Sequence, residues 1–139
     1  MAEIRSPFVV ALKDATKTQN NFYLAMELCN GGDLANLCQV RGGYLREIEA
    51  RIILCQIVKG IAAIKDKSVM HRDLKLPNIM VHFPSLPPNA CIDPKFDLKK
   101  FLEGAEINSK FVTCKIADLG FARKLFQDQL AETACGTPL

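Results

Sequence analysis

His71-Arg72-Asp73-Leu74-Lys75-Leu76-Pro77-Asn78, with Asp118-Leu119-Gly120 forty residues beyond Asn78, supplies two carboxylates, an ammonium group and a primary amide in a fixed order. These residue types suit phosphoryl transfer. Asp73 can orient an attacking hydroxyl and accept its proton, and Lys75 can meet the charge of the phosphoryl group in flight. Asn78 and Asp118 offer hard oxygen ligands to Mg²⁺. A metal triad of His71, His82 and Asp73 is conceivable on residue type alone, but no spacing puts the three on one face.

Rigid elements must hold these groups. From Glu47 to Lys65, apolar side chains at Ile53, Leu54, Ile57, Val58, Ile61 and Ile64 follow the period of a helix that buries one stripe. The loop follows this helix directly and runs into a strand expected over Asn78-Ile79-Met80-Val81. A second strand, Lys110 to Ala117, delivers Asp118. Upstream, Phe8 to Leu12 and Asn21 to Met26 read as two strands of a hairpin separated by polar residues 16–20. Gly31-Gly32 breaks that pattern, and Asp33 is placed to cap a short helix ending near Val40.

The loop resembles the H-R-D-L-x-x-x-N catalytic loop of the protein kinase family, and Asp118-Leu119-Gly120 resembles that family's D-F-G metal motif. Lys75 is similar to the serine/threonine branch. Phe22 to Leu34 and Lys115 to Arg123 most resemble the autophagy-initiating ULK-type kinases. The resemblance implies an α+β partial protein kinase fold, mainly helical with short β-hairpins. Residues 1–30 would be small-lobe strands and hinge, and residues 31–139 the first half of the large lobe. It implies ATP and Mg²⁺ as cofactors and a protein substrate phosphorylated on Ser or Thr. Asp73, Lys75 and Asn78 would be catalytic, and Asn78 and Asp118 would hold the metal. Glu27, Leu28 and Cys29 would form the hinge whose backbone bonds adenine. Met26 would gate the pocket behind it, with core packing as the simpler role, and Met80 is a further nucleotide-binding candidate. Thr133 would be an activating phosphorylation site read by Arg72, and Thr137 would line the acceptor pocket. His71 would be a packed structural residue.

The match runs from Ser6-Pro7-Phe8 to Gly136-Thr137-Pro138 and omits the family's glycine-rich loop, strand-three lysine, helix glutamate and A-P-E motif. A complete domain is roughly twice this length. The 139 residues alone are therefore expected to be inactive. The alternative is a truncated, non-catalytic module of the same fold that acts only by partner binding. Two departures stand inside the motifs. Leu76 occupies the usual proline position and Pro77 follows it, which moves a rigid bend next to Asn78. Leu119 replaces Phe and can still pack beneath His71.

Between His82 and Cys114 the composition shifts, with prolines at 84, 87, 88 and 94 and a charged middle. An insert at about 82–110 is expected as a surface excursion, either a docking loop for a partner or a tolerated insertion. The formal charge of +3 is scattered, which argues against a nucleic-acid surface. No apolar run approaches the ~20 residues needed to span a bilayer. Six cysteines without a C-x-x-C pair read as reduced thiols, with Cys135 in an activation segment open to oxidation. A cytoplasmic protein is expected.

Overall fold

The computed structural model describes residues 4–119 and 123–124. Strands β1 (Leu12–Lys17) and β2 (Phe22–Met26) form an antiparallel hairpin closed by Thr18 and Asn21, whose main chains bond at 2.9 Å. The first strand begins where the sequence pattern had it end. Phe8, Val9 and Val10 leave the hairpin and run beside a later strand, where Val10 N donates to Ile116 O and Ile116 N to Phe8 O, both at 2.9 Å. Burial decides this placement: Val9 and Val10 are buried there, whereas every residue of β2 is exposed.

Helix α1 (Leu34–Val40) starts as expected at Asp33, whose carboxylate accepts the Asn36 N–H at 2.9 Å. Helix α2 (Glu47–Lys65) also keeps its expected limits. Its six apolar residues do not share one stripe. Ile53 and Ile64 are buried and Ile57 partly so, but Leu54, Val58 and Ile61 point outward. Residues one apart on a helix are separated by about 100°, so the 53/54 and 57/58 pairs belong to two faces. The buried face also carries Gly60 and Gln56. Gln56 Nε2 donates to Val112 O at 3.0 Å and its Oε1 accepts from Cys114 N at 2.7 Å.

After α2 come the two-residue strand β3 (Val69–Met70), a 3₁₀ turn (Leu76–Asn78) and β4 (Ile79–His82). β4 pairs antiparallel with β5 (Thr113–Ile116), Ile79 opposite Ile116 and His82 opposite Thr113. β3 pairs with β6 (Arg123–Lys124). Helices and short antiparallel pairs give the expected α+β architecture. Among the described residues, no helix is long and apolar enough to cross a membrane.

The insert is not only a surface excursion. Phe83, Leu102 and Ile107 of the insert, with Val112 just beyond it, are buried in the main core with Leu34, Leu37, Ile53, Ile79 and Val81. Phe83 meets the rings of Phe101 and Phe111 edge-on at 5.2 and 5.4 Å, and those two rings stack at 5.6 Å. Helix α3 (Leu98–Leu102), capped by Asp97, turns Leu102 inward and leaves Lys99 and Lys100 outside. The charged composition hid a core because the charges fall on one side of a short helix. Asn30 binds the start of the insert. Its Nδ2 donates to the carbonyls of Phe83, Leu86 and Pro87, and its Oδ1 accepts the Phe83 N–H at 2.8 Å.

Candidate functional site

The loop between β3 and β4 is held at both ends and cross-linked within. His71 Nε2 lies 2.9 Å from Ala117 O, and Asp73 N lies 3.3 Å from His71 Nδ1. A carbonyl can only accept and an amide N–H can only donate, which assigns the proton to Nε2 and leaves Nδ1 as acceptor. His71 thus ties the loop to the residue before Asp118. This is the packed structural position expected for it.

Asn78 makes the second tie. Its Nδ2 donates to Asp73 O at 2.8 Å and to Asp73 Oδ2 at 3.0 Å, while its own carbonyl accepts from Ala117 N at 2.8 Å. Lys75 Nζ sits 3.0 Å from the same Asp73 Oδ2. Asp73 and Asn78 are buried, Lys75 is partly exposed and Asp118 is exposed. Pro77 stands inside the 3₁₀ turn, where its fixed φ suits the bend and Asn78 N still reaches Lys75 O at 3.0 Å. Leu119 is buried in the main core.

Arg72 and Asp118 both adopt left-handed backbone, with φ of 68° and 54°. Such geometry costs on the order of 1–3 kcal/mol for a non-glycine residue and persists only where surroundings enforce it. Here the His71 and Asn78 bonds to Ala117 do so. β6 brings Arg123 and Lys124 beside β3, next to the loop. Thr133, Thr137 and Cys135 lie outside the described residues.

Glu27 stands where β2 ends. Its Oε2 accepts the Ala11 N–H at 3.0 Å and its Oε1 pairs with Lys115 of β5. Burial raises its pKa, but Lys115 and the Ala11 amide outweigh that and hold the carboxyl below its ordinary value. Cys29 is buried with Val10 and Ala117, and Met80 packs against them, forming a small apolar cluster. Val10 and Ala117 were not singled out by the sequence. Met26 is about half exposed, so it is not a core residue here. Burial, and the nearness of Cys29 and Cys38, push the Cys114 thiol up to about 12.

Residues 1–139 match the family described as Protein kinase domain. The chain belongs to the protein kinase family. It is 34% identical over its whole length to human serine/threonine-protein kinase ULK1, of which it covers 11%. It is 32% identical over its whole length to Arabidopsis thaliana serine/threonine-protein kinase ATG1c, covering 16%. The Caenorhabditis elegans serine/threonine-protein kinase unc-51 is also 32% identical over the whole chain, with 14% covered. The chain therefore spans a small part of the relatives it matches.

Protein kinases work with a nucleotide and Mg²⁺, and the donor set here fits such an ion. Asn78 commits its amide nitrogen to Asp73, which fixes its oxygen as the atom available to a cation. Asp118 adds an exposed carboxylate one residue beyond the Ala117 contact. Both are hard oxygen donors of the kind Mg²⁺ takes. Among the described residues, no three His, Cys, Asp or Glu side chains are grouped to hold a metal.

Proposed function

We propose that the protein carrying this chain transfers the γ-phosphoryl group of ATP to Ser or Thr hydroxyls of protein substrates. The observation that carries the reading is the convergence of Lys75 and Asn78 on one carboxylate oxygen of Asp73, in a loop bonded through Ala117 to the residue before Asp118.

In this reading Asp73 orients the acceptor hydroxyl and takes its proton, and its pairing with Lys75 and Asn78 holds the carboxylate in one rotamer. Lys75, partly exposed, faces the transferred charge. Asn78 Oδ1 and the Asp118 carboxylate would hold Mg²⁺, which would supply charge neutralisation for the phosphate oxygens. The main chain at Glu27 to Cys29 would bond the adenine, with Met80 a further nucleotide-binding residue, and Met26 would gate the pocket. Arg72 answers a phosphate on Thr133, and Thr137 lines the acceptor site. Residues 1–30 then act as small-lobe strands and hinge, and 31–139 as part of the large lobe. The insert serves as a docking face for a partner. Action in the cytoplasm fits Cys38, Cys55 and Cys114, which form no disulfide.

The test is ATP-dependent phosphorylation of a protein substrate by the full-length protein beside an Asp73→Asn variant. Loss of about 10²-fold or more is expected, the usual worth of a positioned base. Equal signal from both would remove Asp73 from the chemistry. A Thr133→Ala variant with undiminished activity would remove the activating site.

A further inference from the structure

We propose that the Glu27 side chain is a positioning residue for nucleotide selection: by taking the Ala11 N–H in place of its own main-chain carbonyl, it releases that carbonyl to accept the exocyclic amine of adenine. This rests on the proposed hinge at residues 27–29 and gives a task to a side chain where only the main chain had one.

The hairpin pairs Leu12 with Met26. One step further along both strands, Ala11 stands opposite Glu27. In a regular antiparallel ladder two such residues exchange both of their N–H···O bonds. Only half of that exchange forms. Glu27 N donates to Ala11 O at 2.9 Å, but Ala11 N turns to Glu27 Oε2 at 3.0 Å. The carboxylate has taken the carbonyl's place, and among the described residues nothing donates to Glu27 O.

The replacement is held on its far side. Glu27 Oε1 pairs with Lys115 Nζ, and the two side chains are only 21% and 14% exposed. Lys115 stands on β5 opposite Met80 of β4. The segment that leads to Ala11 is bonded to the same strand, with Val10 N on Ile116 O at 2.9 Å. Donor and clamp therefore sit on one frame, and a carboxylate fixed at both oxygens cannot swing away to let Ala11 N return to the main chain. A main-chain carbonyl without a donor is costly unless water or a ligand reaches it. Met26 and Leu28 on either side are about half exposed, which leaves the Glu27 main chain within reach of one. An adenine amine donates to such an oxygen. The corresponding oxygen of guanine can only accept and would leave the carbonyl unpaired, so the arrangement selects adenine.

Displacement of a fluorescent ADP analogue from the full-length protein tests this without phosphoryl transfer. The competitors are ATP and purine riboside triphosphate, which differs from ATP only in lacking the amine. In the wild type, ATP is expected to compete about two- to tenfold better, the worth of one hydrogen bond. Glu27→Ala lets Ala11 N return to Glu27 O, so ATP weakens and the two nucleotides become equal. Glu27→Gln keeps an oxygen for Ala11 N and restores the preference. A side chain that only braces the fold would, when removed, lower the thermal melt and weaken both nucleotides alike; a preference that survives in Glu27→Ala therefore overturns the proposal. Equal competition in the wild type, or a Glu27→Gln that behaves as Glu27→Ala, also overturns it. Should Glu27→Ala fail to fold, Lys115→Met releases the carboxylate from its clamp and is expected to lose part of the preference, and an unchanged preference there is equally fatal. Each of these failures leaves ATP binding, and with it the phosphoryl-transfer reading, in place. A wild type that binds neither nucleotide removes both.

Discussion

A single side-chain amide, Asn78 Nδ2, holds Asp73 twice, at its main-chain oxygen and at the carboxylate oxygen that also meets Lys75. The orientation of the catalytic candidate is therefore set by the Asn78 amide. Asn78→Ala removes the donor from a buried carboxylate, a loss of about 1–3 kcal/mol, in addition to the loss of the proposed Mg²⁺ ligand. Asn78→Asp keeps an oxygen ligand but puts a second carboxylate about 3 Å from Asp73 Oδ2. Like charges at that distance drive one group to protonate. Activity of the full-length protein at neutral pH is expected to fall at least as far in Asn78→Asp as in Asn78→Ala. An Asp variant that keeps half the wild-type kcat would show that the ion ligand alone matters.

Gly60 lies in the interior of α2, towards its C-terminal end, where replacement by alanine would ordinarily gain about 1 kcal/mol of helix propensity. A Cβ there would stand 2.6 Å from Phe8 O and 2.9 Å from Ile116 Cδ1. Ile116 could shift, but Phe8 O accepts the Ile116 N–H and cannot move without breaking that bond. Overpacking of about 1–3 kcal/mol then exceeds the propensity gain. Gly60→Ala is expected to lower the urea midpoint, and a raised midpoint would mean that α2 and the Phe8 segment separate freely.

The elements legible in the sequence were those set by local signals. The limits of α2 and the Asp33 cap follow from neighbours within four residues, and the catalytic loop from a contiguous motif. What was missed depends on contacts far along the chain. The outward turn of Leu54, Val58 and Ile61 is hidden by a pattern that fits two faces equally well. Phe8 to Val10 had strand character, but their partner was β5, more than a hundred residues away, rather than β2. Composition alone made the insert look like solvent-exposed chain, because four prolines and a charged run conceal Phe83, Leu102 and Ile107. Asp73, Lys75 and Asn78 are joined by a hydrogen bond and an ion pair, while Val10 and Ala117 carry no chemical signal of their own.

The Glu49 cluster should make stability depend on pH in a particular direction. Burial raises the Glu49 pKa, but the Arg46 side chain and amide, with Arg41, outweigh it and hold the carboxyl below its ordinary value. A depressed folded-state pKa contributes stability above the unfolded value, about 4.3 for a glutamate, and that contribution is lost as pH falls through the folded value. Urea midpoints measured from pH 7 downward are expected to drop for the wild type below the carboxylate range. Glu49→Gln, already weaker at pH 7 because two guanidiniums lose their shared partner, should show a flatter profile. Parallel curves would mean that other carboxylates dominate acid unfolding.

Asn30 connects the residue after Cys29 to an insert more than fifty positions downstream, and it does so with no solvent exposure. Replacing it by alanine strips a hydrogen-bond partner from three carbonyls and one amide in a region water does not reach. Each buried group left unsatisfied costs about 1–3 kcal/mol, although the carbonyls can recover part of this by relaxation. A net loss of about 2–4 kcal/mol is expected for Asn30→Ala. Asn30→Asp separates packing from donation: the volume is kept and Oδ1 can still accept from Phe83 N, but a carboxylate can no longer donate to Phe83, Leu86 and Pro87. If the link positions the hinge as well as the insert, both variants should raise KM for ATP in the full-length protein. Hydrogen exchange should then quicken at Cys29 and Phe83 together. Faster exchange confined to the insert, with KM for ATP unchanged, would show that Asn30 only anchors the insert.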